Sequence, residues 1–175
     1  MTVLDILLYP DERLRQECEP VEDFADPAIQ GTIDDLLETL AAHPACVGVA
    51  APQAGCPLQL LIMDCGRARK PPADHHGLLV VCNPAILHWN GMEVGREGCL
   101  SLPDYTGNVV RATEVTVQFQ NRHGQEAVLA LTGFEARVIQ HEMDHLEGKL
   151  FVDRLVSRKA DLFRRKNYGP TKTKG

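Results

Sequence analysis

The segment Gln140-His141-Glu142-Met143-Asp144-His145-Leu146 constrains this chain more than any other. It contains the pattern His-Glu-x-x-His. Histidines spaced by four fall one turn apart on the same face of an α-helix, so both imidazoles can reach a single metal ion. The glutamate beside the first histidine then stands over the ion's open position, where it serves as general base toward metal-bound water. Read as a site, such a segment is helical, with the face carrying His141 and His145 turned toward a shared ion. The chemistry it points to is metal-assisted attack on a carbonyl.

The same pattern arises by chance on charged, solvated helices, so its flanks have to be weighed. Thr132-Gly133-Phe134-Glu135 fits a capping box, with Thr132 as N-cap and Glu135 at the third helical position. Phe134, Val138, Ile139 and Leu146 give the segment an apolar side, and Gly148 supplies a stop. The spacing therefore predicts a core-facing helix of ordinary length. Histidines on a buried face need partners, and a metal ion supplies one.

The 175 residues suffice for a sizeable core and are read as one catalytic domain over 1–166, with a mobile C-terminal tail over 167–175. No run of about 18 apolar residues occurs, so no membrane span is expected. Met1 to Asp5 lacks a basic region and an apolar signal core, giving no sign of export and an expectation of a cytoplasmic protein. The six cysteines are scattered without a Cys-x-x-Cys pair, which reads as buried thiols with one possible metal ligand among them. Charge is uneven. From Arg154 onward eight basic residues face Asp161 alone, a net +7 that leaves −13 for the rest of a chain of −6. Such asymmetry marks either an interaction tail or a solvated end. No sequence-specific DNA partner is expected.

Coarse periodicity gives the remaining elements. Pro10-Asp11 opens a short helical segment, and Asp26-Pro27 caps a longer helix running to about Leu40. Leu58 to Met63, Leu78 to Val81, a strand within Val109 to Gln120, and Ala127 to Leu131 read as strands. Ser157 is placed to cap a last helix through about Lys166. His75 and His76, in the polar loop Arg67 to Gly77, read as solvated. The fold class is α+β: mostly antiparallel sheets packed around a central metal-binding helix, with N- and C-terminal helices.

Two histidines are an incomplete catalytic site, since a catalytic ion usually takes three protein ligands. Glu97-Gly98-Cys99-Leu100-Ser101 offers a cysteine in a tight segment, although a buried structural thiol is an equally simple reading of Cys99 alone. A third segment, Gly48-Val49-Ala50-Ala51-Pro52-Gln53, precedes both. The three together, in this order, resemble the peptide deformylases. The likeness runs from Val3 to about Leu155, taking in Tyr9-Pro10 with Leu14-Arg15 and the stretch Gly148 to Leu155.

The resemblance implies roles residue by residue. Cys99, His141 and His145 match the metal ligands, for a divalent ion that is Fe2+ in the family and is often replaced by Zn2+, Ni2+ or Co2+. Glu142 matches the general acid/base. Gln53 matches a side-chain donor to the oxyanion, and Leu100 the residue whose backbone N–H is the second donor. Gly48 matches the backbone that pairs with substrate, so an extended peptide is expected to add as a strand beside Val47 to Val49. The family's pocket residues lie near Phe134 and Val138. The implied reaction removes the N-formyl group from the N-terminal methionine of newly made polypeptides and releases formate. A metal and two fixed donors suit the tetrahedral anion through which it passes. The family likeness also makes the basic C-terminal segment the expected contact with the ribosome.

Three residues depart from the family pattern. Cys46 stands where a glycine is usual, and Glu135 and Arg137 stand where apolar residues are common. The capping box accounts for Glu135, and a solvent-facing side chain for Arg137. A deformylase-like binding protein without turnover would fit these departures, but Glu142 and Gln53 argue against it. A zinc endopeptidase would fit His-Glu-x-x-His alone, but Cys99 argues against that.

Overall fold

The computed structural model describes residues 2–44 and 46–165. The expectation for 167–175 lies outside those residues. Along the chain come α1 (Pro27–Ala42), β1 (Gly48–Ala50), β2 (Leu60–Asp64), β3 (Leu78–Asn90), β4 (Glu93–Cys99), β5 (Leu102–Arg111), β6 (Glu114–Gln120), β7 (Glu126–Thr132), α2 (Gly133–Leu146), α3 (Arg158–Asp161) and β8 (Leu162–Arg164). One sheet has five strands in the order β1-β2-β3-β6-β7, and a second has three, β4-β5-β8. Every pairing between these strands is antiparallel. The α+β class read from the sequence thus holds as mixed helices and antiparallel sheets.

The five-stranded sheet is covered on both faces, and β2 shows how. Successive strand side chains point to opposite faces. Leu61 and Met63 join the cluster built on α2 with Val117, Leu131 and Ile139. Leu60 and Ile62 join the cluster built on α1 with Ile33, Leu36 and Leu40. A strand buried on both faces reads as a continuous apolar run, as Leu60-Leu61-Ile62-Met63 does. The third cluster, with Leu102, Val109, Leu150 and Phe151, lies under the three-stranded sheet and includes Cys99. The α2 helix therefore sits between the two sheets, one side on each.

Helix ends follow local chemistry. Asp26 caps α1 as expected, its carboxylate accepting from the Ala28 N–H at 2.8 Å, with Pro27 in the first turn. The capping box expected at α2 does not form. Thr132 occupies the N-cap position without a side-chain bond. Glu135 is buried and accepts instead from the backbone N–H of His76 at 2.8 Å, with His76 Nδ1 also at 2.8 Å from its second oxygen. His76 is exposed, as expected, but these bonds anchor its loop to α2. The glycine at 133 adopts φ +53°, so the chain turns sharply into the helix there.

Two other expectations change, and one strand had none. The strand expected within Val109 to Gln120 is the end of β5 and the whole of β6, separated at Ala112-Thr113. The helix expected from Ser157 to Lys166 stops at Asp161, and the chain continues as β8 against Tyr105 to Gly107. Ser157 does cap the short helix, through the Ala160 N–H. β4 carried no apolar alternation because its buried positions are Glu97 and Cys99. A strand whose inward side chains are functional lacks the usual hydrophobic signal.

Candidate metal centre and substrate pocket

Cys99 at the end of β4 meets His141 and His145 on α2. One ligand atom from each lies within 4.8 Å of the others, and Cys99 Sγ is 3.3 Å from His145 Nε2. Ligands of one tetrahedral ion with bonds of about 2.0–2.3 Å stand about 3.3–3.8 Å apart, so this convergence fits a single first-row cation. All three are buried. Burial opposes ionisation of the Cys99 thiol, but the imidazoles of His145 and His141 outweigh it and hold the thiol well below its ordinary range. The donor set is therefore a thiolate with two imidazoles, suited to a soft or borderline divalent ion. Sequence spacing paired the two histidines; the strand β4 supplies the third group from 42 positions earlier in the chain.

A chain of charges, buried at Glu97, Arg111 and Asp144, fixes these ligands. Glu97 Oε2 accepts from His141 Nδ1 at 2.8 Å, which leaves Nε2 for an ion. Glu97 also receives Arg111 through two bonds of 2.9 and 3.0 Å and Arg137 at 3.0 Å. Arg111 continues to Asp144 at 2.6 Å, and Asp144 takes Arg154 at 2.5 Å. Burial alone would raise the pKa of Glu97, but the bonds from His141 and Arg111 overcome it and keep the carboxyl far below its usual range. Asp144 is lowered in the same way, burial being outweighed by Arg154 and Arg111. This network had no local signature in the sequence. Asp144 lies inside the His-Glu-x-x-His segment, but nothing local announces that it pairs with Arg111.

Glu142 lies beside the ligands with Oε2 buried and without a hydrogen-bond partner among the described residues. His145 Nδ1 has the same status. Burial pushes the Glu142 pKa up, against the pull of His141 and His145. Its carboxylate packs directly on β1, since a Cβ at Gly48 would stand 2.5 Å from Glu142 Oε1. Gly48 is the residue that lets helix and strand approach. Gln53 is held from two sides. Its Oε1 accepts from the Ala50 N–H at 3.0 Å, and its Nε2 reaches Ser101 Oγ at 3.1 Å and Cys99 Sγ at 3.3 Å. Ser101 is a support that the sequence did not single out.

These groups border a cleft of about 720 Å³. Val47, Gly48, Gln53, Leu100, Phe134 and Val138 line it together with Cys99, His141 and Glu142. Val49 does not; its side chain is fully buried against α1. Cys46 also lines the cleft, and its thiol donates to the Gly48 carbonyl at 3.1 Å. Burial and the nearby Glu142 push that thiol up to about 11, so the two cysteines of this cleft have opposite character. Arg137, expected in solvent, crosses the wall above Gly95. A Cβ at Gly95 would stand 2.5 Å from the guanidinium carbon. Nη1 bonds the Val109 carbonyl at 2.8 Å and Nη2 the Glu93 carbonyl at 2.7 Å. Glu135 does not line the cleft.

Thiolate, paired imidazoles and a neighbouring carboxylate beside a substrate-sized cleft belong to the metallohydrolase class of site. Comparison with known proteins narrows the class. The polypeptide deformylase family model matches residues 3–161. A peptide deformylase of Syntrophobacter fumaroxidans is 43% identical over 166 residues, covering 95% of this chain and 94% of its own. The crystal structure of a peptide deformylase from Legionella pneumophila superposes with a TM-score of 0.81 at 40% identity, covering 90% of this chain and 89% of that one. A class I type b peptide deformylase from Acinetobacter baumannii, bound to Met-Ala-Ser, superposes with a TM-score of 0.82 at 33% identity, covering 88% and 99%. The chain belongs to the peptide deformylase family, metal-dependent hydrolases that act on N-formyl-methionyl peptides.

Proposed function

We propose that this chain removes the formyl group from the N-terminal methionine of newly made polypeptides, releasing formate. The observation that carries the reading is the convergence of Cys99, His141 and His145 on one point, with the unpartnered Glu142 oxygen beside it. Those three residues would hold one divalent ion, Fe2+ in the native protein, with Zn2+, Ni2+ or Co2+ as substitutes. When bound, the ion supplies the Lewis acidity that makes water a nucleophile at neutral pH. Glu142 Oε2 takes a proton from the attacking water and later delivers it to the leaving amine nitrogen. Its raised pKa suits a group that must hold a proton between those steps. Gln53 Nε2 and the Leu100 N–H donate to the oxyanion as charge develops. Gln53 is pre-set for this by Ala50 and Ser101, so little reorganisation is required.

The peptide would lie along β1, which among the described residues pairs only with β2 and is the edge strand of its sheet. Val47 and Gly48 would offer backbone groups to it, and Val49 would act through its backbone alone. Phe134 and Val138 would receive the methionine side chain. The Met-Ala-Ser complex of the Acinetobacter baumannii relative supports a tripeptide-sized occupant. Residues 1–166 would act as one cytoplasmic catalytic unit. A ribosome contact would use the basic C-terminal segment, of which Lys166, Lys172 and Lys174 lie outside the described residues.

Formate release from formyl-Met-Ala-Ser, measured beside cleavage of an internal peptide bond, tests the reading. Rapid deformylation with intact peptide bonds is expected. Cleavage of internal bonds, or peptide binding without formate, would replace this reading by a peptidase or a binding protein.

A further inference from the structure

We propose that the mouth of the cleft selects substrates carrying a carboxylate within two or three residues of the formyl group. The inference rests on the deformylase reading and adds a substrate preference to it. Three exposed arginines line the mouth, Arg69, Arg96 and Arg165. None of them forms an ion pair among the described residues. Arg111 and Arg137, deeper in, are both spent on Glu97. The cleft's two carboxylates are Glu97, already committed to Arg111, Arg137 and His141, and Glu142 beside the metal ligands. On a chain of net −6 the mouth is thus locally positive.

The backbone brings these arginines there. β8 pairs with Tyr105 to Gly107, and the Arg165 N–H donates to the Asp104 carbonyl at 2.7 Å. This sets the Arg165 guanidinium against Gly98, where any Cβ would collide with it. Part of the basic C-terminal segment therefore faces the site. The Arg96 guanidinium lies 3.6 Å from the centre of the Phe163 ring and donates to Asn108 Oδ1 at 2.9 Å and Thr106 Oγ1 at 3.2 Å. Arg69 stands on the opposite wall, two residues past Arg67, whose guanidinium holds the Cys46 and Leu40 carbonyls. A carboxylate between these walls meets guanidinium forks whose geometry matches its own. The low-dielectric cleft focuses their field outward along the path of an arriving anion.

Position fits the reaction. Gly98 immediately precedes Cys99, and Arg96 lies three residues before it on β4. An extended peptide advances about 3.3 Å per residue, so its second and third residues reach the level of these side chains. The carboxylate can come from an Asp or Glu side chain or from the free C-terminus of a short peptide.

Three peptides separate these sources: formyl-Met-Ala-Glu-amide, formyl-Met-Ala-Gln-amide and formyl-Met-Ala-Gln with a free terminus. The metal-loaded protein should show kcat/KM about five- to tenfold higher for the first and third than for the second, as expected when exposed charge pairs add within a cleft. Preference in one arm alone supports the proposal and identifies the source. The preference should shrink toward unity at about 0.5 M NaCl, where the Debye length falls to a few ångströms. Arg69→Gln, Arg96→Gln and Arg165→Gln combined should equalise the peptides; if that variant does not fold, the salt series on the parent decides. Equal rates for all three peptides on the parent would overturn the proposal, as would a preference that survives salt or the three substitutions. Absence of formate from every peptide would instead overturn the deformylase reading beneath it.

Discussion

Behind the cleft, in what serves as its floor, Arg111 and Arg137 each meet the buried carboxylate of Glu97, whereas at its mouth Arg69, Arg96 and Arg165 meet no carboxylate among the described residues. The same side chain serves two ends. In the floor, where Glu97 and Arg111 are 4% exposed, each charge needs a fixed partner because an unpaired one there is costly. That requirement locks His141 into one orientation and so prepares the ligand set before an ion arrives. At the mouth the arginines are exposed, and their partners are neutral where they have any, as Arg96 has in Phe163, Asn108 and Thr106, so their charge stays open to a substrate carboxylate. The floor is built for rigidity and the mouth for exchange, and substitutions should separate the two.

The largest effect belongs to the floor. Glu97→Ala removes two of the three bonds that hold Arg111, leaving Asp144 alone to face it, and also removes the acceptor of His141 Nδ1. Breaking a buried pair in this way should cost about 3–5 kcal/mol, read by denaturant unfolding. Metal competition should show affinity about 10–100-fold weaker. A loss below about 1 kcal/mol, the level of a surface pair, would erase the distinction between floor and mouth. Next comes Gly95→Ala. The new Cβ would press on Arg137, and overpacking of this kind costs about 1–3 kcal/mol. If stability holds, Arg137 has room to move and is no part of the rigid floor.

Acid separates the regions again. Glu97 and Asp144 titrate below their ordinary values of 4.5 and 3.8 in the folded protein. Depressed carboxyl groups contribute stability that is present above the unfolded pKa and is lost as pH falls through the folded one. Unfolding free energy should therefore decline below about pH 4.5, and Glu97→Gln should flatten that decline. The carboxylate preference at the mouth should persist until the substrate's own acid protonates near pH ~4. The smallest effect is on stability at the mouth. Arg96→Gln or Arg69→Gln should change unfolding free energy by no more than about 0.5 kcal/mol, as usual for exposed sites. A larger loss from either would show that these arginines support the fold.

Regions with strong local signals were legible in the sequence. Asp26-Pro27 marked the start of α1, and the run Leu58 to Met63 marked a buried strand, found at Leu60–Asp64, because propensity and burial agreed there. His141, Glu142 and His145 were legible because helical spacing alone places them together. Cys99 stood out in its tight segment but was open between ligand and structural thiol, and Gln53 entered through family likeness, since their approach to α2 depends on how two sheets pack. Glu97's network was invisible for the same reason: its pairs to Arg111 and Arg137 cross 14 and 40 positions. The end of the chain misled because Ser157 does cap a helix, yet pairing with β5 takes over after Asp161. Tertiary pairing overrode local propensity there. The departures at Glu135 and Arg137 had simple local explanations, and long-range partners replaced both.

The account's central claim is that Glu142 moves the proton in a metal site held by Cys99, His141 and His145. Glu142→Gln preserves the side chain's shape while removing its basicity. Metal content per chain and formate release from formyl-Met-Ala-Ser, measured together on parent and variant, test it most directly. The account predicts equal metal content and a rate reduced by on the order of a hundredfold or more. Equal turnover at equal metal content would contradict it.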